Sequence, residues 1–185
     1  MTIAELCAGL QTPARQKAIA RLAGSHRATM AGLAGSSAAV MLAALPQQKN
    51  TVVVVGDDAD DAGYLFFDLC RLFPEEEVAI MPSGFKRDIK YGQPDSPAQI
   101  LRIESLARLQ SGRLRFLVTY PEALAERVAS HETLAESTLT LISGSTADMA
   151  EVRAWLKDHG FTRTDYVYEP GHYAVRGSIL DIYGF

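Results

Sequence analysis

The chain has 185 residues, 48% of them apolar, with a formal net charge of −4 and a pI near 5.6. This is ample material for a core and excludes wholesale disorder, while the acidic balance argues against nucleic-acid binding through bulk electrostatics; a DNA role would need a local basic patch. Cys7 and Cys70 form neither a disulfide framework nor a metal-ligand spacing, so two buried structural thiols in a reducing cytoplasm are expected. No apolar run approaches the ~20 residues of a membrane span, and the N-terminus lacks a basic region followed by an apolar signal core, so the expectation is a soluble, cytoplasmic protein.

Residues 1–27 read as a helical lead-in. Thr2 to Leu10 and Pro13 to Leu22 are its two helices, with Thr2 and Thr12 as N-caps, Pro13 at a first helical position and Gly24 as a stop. A strand-like Ala28 to Ala31 follows, then a Gly/Ser turn at Gly32 to Ser37 and a helix from Ala38 to Leu45 stopped by Pro46. Thr51 to Val55 is a β-branched run of the kind found in strands buried on both faces of a parallel sheet. Asp57 to Phe73 reads as a helix with four aspartates near its positive end.

Val78 to Met81 is a further short strand, and Pro82 to Pro97 is a long loop holding Phe85, Lys86, Arg87, Lys90 and Tyr91. Ala98 to Gln110 carries Ile100, Ile103, Leu106 and Leu109 or Ala107 close to helical period, with Gly112 ending it. Leu114 to Val118 is a strand, and Pro121 opens a helix to Ala129. The polar stretch Ser130 to Ser137 separates two unequal parts. Beyond it, Thr138 to Ile142 reads as a strand, Asp148 to His159 as a helix with Trp155 facing in, and Tyr166 to Tyr168 as the start of a terminal β-segment. The alternation predicts an α/β fold: a doubly wound, mainly parallel sheet over residues 28–135, with its crevice at the carboxyl ends of the strands, and a smaller α+β part over 136–185.

The motifs that could carry chemistry are thin. Gly32, Gly35, Ser36, Ser37, Ala38 and Ala39 occupy the place of a phosphate-binding loop, but alanines stand where such a loop needs a lysine for the β- and γ-phosphates and a hydroxyl for Mg²⁺. A structural turn that cannot use ATP is expected, and no cofactor. Val52 to Asp58 has the outline of a Walker B strand or a phosphoacceptor pocket; an acidic N-cap is the favoured alternative. His26, His131, His159 and His172 are scattered, with no nucleophile motif, catalytic residue or metal site among them. The bases and aromatics of Phe85 to Tyr91 suit either a packed loop or a single-stranded nucleic-acid contact.

The densest signal is Tyr168 to Tyr183. Pro170-Gly171 supplies a turn, Tyr173-Ala174-Val175 and Ile179-Leu180-Asp181-Ile182 are apolar runs, and Arg176-Gly177-Ser178 lies between them, predicting a hairpin or bent strand with Arg176 near its tip. Arg176 either pairs with Glu169 or Asp181, or offers its guanidinium to a partner's carboxylate.

Glu-Pro-Gly-x-Tyr-Ala-Val-Arg-Gly-x-Ile-Leu-Asp-Ile at Glu169 to Ile182 resembles the segment shared by UvrB proteins of nucleotide excision repair and transcription-repair coupling factors of the Mfd type. Phe85-Lys86-Arg87-x-Ile-Lys-Tyr-Gly-Gln, Ile100-Leu101-Arg102-x-Glu104-x-Leu106 and Val118-Thr119-Tyr120-Pro121-Glu122-Ala123-Leu124 look more like the coupling factors. The resemblance implies a degenerate P-loop NTPase/helicase-like domain at 28–135 and the start of a UvrA-binding domain at 136–185. It implies a non-enzymatic module that recruits UvrA to lesions at stalled RNA polymerase, with Arg176 and Gly177 on the docking turn. Polymerase and double-stranded DNA would be bound by regions absent here, because the family continues past Phe185. An N-terminal fragment that dimerises through its terminal strand edge is therefore expected. A nucleotide-dependent UvrB-like helicase domain and a small phosphoacceptor domain are the alternatives.

Overall fold

The computed structural model describes residues 12–24, 27–45, 49–85 and 95–184. The helix expected at Thr2–Leu10, together with Cys7, His26, Pro46, Lys86, Arg87, Lys90 and Tyr91, lies outside the described residues. α1 (Pro13–Gly24) begins as its sequence dictates, with the Arg15 amide donating to Thr12 Oγ1 at 3.3 Å. The Arg15 guanidinium donates to the Val40 carbonyl at 2.8 Å, tying α1 to α2 (Ser37–Ala43).

Ala28 to Ala31 forms no strand. Its residues are mostly exposed, and among the described residues no neighbouring strand offers the ladder that extended backbone needs. The first sheet instead contains β1 (Val52–Val55), β2 (Val78–Ile80) and β3 (Phe116–Thr119), all parallel, in the order β1-β3-β2. β3 pairs Phe116 with Val52 on one side and with Val78 on the other, and its four residues are all buried.

α3 (Ala59–Leu72) starts where Asp58 accepts the Asp60 and Asp61 amides, both at 2.9 Å. It lays Ala62 and Leu69 on Val78, Phe116 and Val118, and each large side chain buried there contributes about 1.5–3 kcal/mol. The close approach is visible at Gly56, where an added Cβ would sit 2.6 Å from the Ala62 nitrogen. α4 (Ser96–Gln110) covers the other face, packing Leu106 on Ala79, Met81, Leu114 and Leu117. This mixed α/β arrangement has helices on both faces of a parallel sheet, which agrees with the predicted class at that level.

Two details depart from the expected pattern. The β-branched run is not buried on both faces: Val52 and Val54 join the core, but Val53 and Val55 are 51% and 49% exposed. β1 is an edge strand, and α4 packs over β2 and β3 without reaching it. On α4 the most buried residues are Arg102 and Ser105, whereas Ile103 and Leu109 are exposed. Of the apolar period, Ile100 and Leu106 are partly buried, and the Arg102 guanidinium takes a buried place on the same helix.

After β3, α5 (Pro121–Ala125) stops at Glu126, four residues short of the expected end. Glu126 turns extended and its carboxylate is used elsewhere, as described below. The polar stretch after it contains α6 (His131–Glu136), capped by Ser130. Thr138 to Ile142 is irregular rather than a strand, since no strand among the described residues pairs with it and the Ile142 carbonyl accepts the Ser145 amide in a turn. α7 (Met149–Asp158) follows, capped by Asp148, with Val152, Trp155 and Leu156 turned towards Phe161, Tyr173, Val175 and Leu180. The second sheet, β4 (Thr162–Arg163), β5 (His172–Arg176) and β6 (Ile179–Tyr183), is ordered β4-β5-β6. Tyr166 to Tyr168 lies in the connection between β4 and β5, not in a strand. None of the described helices is long and apolar enough to cross a membrane.

Candidate protein-docking site

β5 and β6 are antiparallel, and Arg176 lies directly opposite Ile179, which leaves Gly177 and Ser178 as a two-residue connection. Gly177 has φ +62°, a conformation costly for residues with a Cβ, and this is why glycine follows the arginine. Along β5, Tyr173 and Val175 point into the core with Leu156 and Trp155. The period of two then sends Arg176 to the opposite face. It emerges at the end of the strand with its side chain 57% exposed.

Asp181 sits opposite Ala174, on the same face and diagonal to Arg176. The Arg176 Nη2 donates to Asp181 Oδ2, and the guanidinium carbon stands 5.7 Å from the Tyr166 ring centroid. The hydrogen bond to Asp181, and then that residue's charge, raise the arginine pKa further above its already high value. Tyr166 and Tyr168 are 61% and 77% exposed, with ring centroids 6.2 Å apart, so an aromatic shoulder flanks the cation. Of the two pairings considered for Arg176, Asp181 is the one made; Glu169 approaches His172 instead, at 4.0 Å.

The phosphate-loop positions form a different kind of feature. Gly32 and Gly35 take φ +81° and +52°, and Ser37 Oγ accepts the Ala34 amide at 2.7 Å, closing a local turn. Ala39 is wholly buried against the core around Leu69 and Phe116, and Ala38 stands partly buried beside it. Ser36 and Ser37 thus lead into a helix of seven residues whose inward face is packing. The acidic run after β1 is also occupied: Asp58 caps α3, and Asp61 Oδ2 accepts the Asp57 amide at 3.0 Å. Among the described residues no group of His, Cys, Asp and Glu is placed to hold a metal ion.

His159 stacks on Trp155 at 3.8 Å and its Nδ1 meets the Trp155 carbonyl at 2.8 Å, giving it a place in the hydrophobic packing. Burial pushes the Cys70 thiol pKa up, with Glu75 adding to the effect, so this cysteine is a poor nucleophile. Phe85 is exposed at the start of the basic loop.

One polar cluster has almost no signature in the sequence. Arg102 Nη1 donates to the carbonyls of Pro82 at 2.6 Å and Ala123 at 3.2 Å, and lies 3.4 Å from Glu126. Glu126 also accepts the Ser83 hydroxyl and, at 2.9 Å, the Gly84 amide. This joint ties the segment after β2 to the end of α5 and stands at the wall of a cleft of about 890 Å³, beyond the carboxyl ends of β2 and β3. Its one legible sign was an arginine inside the apolar rhythm of α4.

Residues 139–185 match the family model described as the UvrB interaction domain. The hairpin bearing Arg176 lies inside that match. The chain is similar to the transcription-repair-coupling factor of Bacillus subtilis (strain 168), 26% identical over 157 residues that cover 83% of this chain and 13% of the relative. The factor of Haemophilus influenzae (strain ATCC 51907 / DSM 11121 / KW20 / Rd) is 25% identical over 82% of this chain and 13% of its own length. That of Escherichia coli (strain K12) is 24% identical, again over 82% of this chain and 13% of its own length. The chain thus spans 13% of the length of each of these three relatives.

Proposed function

We propose that this chain is a non-catalytic recruitment module of a cytoplasmic coupling factor in nucleotide excision repair, and that the Arg176–Gly177 turn docks on UvrA. Residues 1–27 would be its lead-in, 28–135 a degenerate P-loop NTPase-like domain, and 136–185 the start of the UvrA-binding domain. The observation that carries the reading is Arg176 itself: inside the stretch matching the UvrB interaction domain, an exposed arginine is held at the end of β5, next to a two-residue turn and exposed tyrosines. Tyrosine and arginine are the residue types that dominate protein-interface energetics. Its Nε and Nη1 donors engage no acceptor among the described residues and remain for a partner carboxylate or carbonyl.

The packed Ala39 and the missing loop lysine support a role without ATP chemistry. Placing UvrA beside polymerase and DNA would fall to the rest of such a protein. A pull-down of UvrA with the wild-type chain and with Arg176→Ala tests the reading. Wild type retains UvrA and the variant loses most of it; equal retention by both removes Arg176 from the docking surface.

A further inference from the structure

We propose that the groove between α1 and the segment after it binds the phosphate backbone of a nucleic-acid duplex. From Leu6 to Gly56 the sequence contains no aspartate or glutamate, although the chain carries 22 of them, and this stretch holds Arg15, Lys17, Arg21, Arg27 and Lys49. An acidic protein therefore has one segment from which carboxylates are absent. The fold concentrates what remains: Lys17, Arg21 and Arg27 line one cleft of about 470 Å³, with Thr29, Met30 and alanines as the rest of its described wall.

Lys17 and Arg21 are four residues apart, so they share a face of α1, where like charges destabilise a helix. None of the three cations has an ion-pair partner among the described residues. Arg15 differs, being turned inward to the Val40 carbonyl. Three unpaired cations converging without a carboxylate favour a polyanion. No aromatic residue lines the described cleft, so it lacks the stacking platform of single-strand sites, and contact with a duplex backbone is the chemistry that fits. The contact would be independent of sequence and of the Arg176 surface.

The test is fluorescence anisotropy of a short labelled duplex DNA titrated with the full 185-residue chain at several salt concentrations. Three neutralised phosphates give a slope of log K against log salt of about −2.7, and so a loss of roughly 40-fold in affinity between about 50 and 200 mM salt. Lys17→Gln, Arg21→Gln and Arg27→Gln each reduce the slope by about 0.9, while Lys157→Gln on α7 leaves it unchanged. Far-UV circular dichroism of each variant checks that α1 remains folded, as expected for exposed side chains. Undetectable binding, or a triple variant with the wild-type slope, overturns the proposal. So does binding of a polyglutamate peptide without binding of DNA, which would assign the groove to an acidic protein segment.

Discussion

The joint between Arg102 and Glu126 offers a demanding test of how the first sheet is held together. Replacing Glu126 with alanine removes the carboxylate 3.4 Å from Arg102 and strips the Ser83 hydroxyl and the Gly84 amide of their acceptor. The arginine cannot follow by moving into water, because its side chain is only 9% exposed and its Nη1 is anchored on two carbonyls. Breaking one side of a buried pair costs about 3–5 kcal/mol, and the 17% exposure of Glu126 places this case near 3. For a chain of this size that is a melting-point drop of about 6–12 °C. The assay is urea or thermal unfolding followed by circular dichroism. The double variant Glu126→Ala/Arg102→Met should be no less stable than Glu126→Ala alone, because the uncompensated charge is gone and methionine fills the space. A Glu126→Ala cost below about 0.5 kcal/mol, or full additivity in the double variant, would refute a buried, coupled pair.

Gly56→Ala should destabilise by about 1–3 kcal/mol, since its Cβ would meet the backbone of Ala62 at 2.6 Å; an unchanged unfolding midpoint would show that α3 can retreat. Millimolar Mg-ATP should leave the melting temperature unmoved, because a ligand that binds only the folded state must raise it; a clear rise would restore the nucleotide-dependent reading. The Cys70 thiol has its pKa raised from 9.0 by burial, so its stabilising effect is fully present below pH 9 and is lost as the pH climbs through the raised value. Comparing urea midpoints of wild type and Cys70→Ala across that window should show wild type losing its relative advantage at the alkaline end. The outer edge of β6 pairs with no strand among the described residues, and sedimentation velocity should show dimers growing with concentration; a monomer at all concentrations would refute pairing through that edge.

Local rules were sufficient wherever an element is decided by its own residues. Asp58 before an amphipathic run, Pro13 at a helix start and Gly177 after Arg176 each state a backbone requirement that neighbours do not alter. Strands were less legible, because a strand exists only with its partner. Ala28–Ala31 and Thr138–Ile142 have strand-like composition but no described ladder, and Val53 and Val55 look like interior residues until β1 is known to be an edge. The Arg102–Glu126 joint depends on α4, α5 and the segment after β2 meeting in space, which no single stretch reveals. At the β5–β6 hairpin the sequence places Arg176 near the tip and leaves its partner open between Glu169 and Asp181; the antiparallel register decides for Asp181. Tyr166 and Tyr168, expected at the start of a strand, lie between β4 and β5 instead, exposed and with Tyr166 beside Arg176.

The most direct measurement is the dissociation constant for UvrA, determined by titration calorimetry with wild type, Arg176→Ala, Asp181→Asn and the double variant, alongside their melting temperatures. The account predicts that Arg176→Ala weakens binding by on the order of tenfold or more with the fold intact. It also predicts that Asp181→Asn weakens binding less, and that it has no further effect once Arg176 is gone, because Asp181 acts by holding the guanidinium in place. Equal affinity of wild type and Arg176→Ala for UvrA would contradict it.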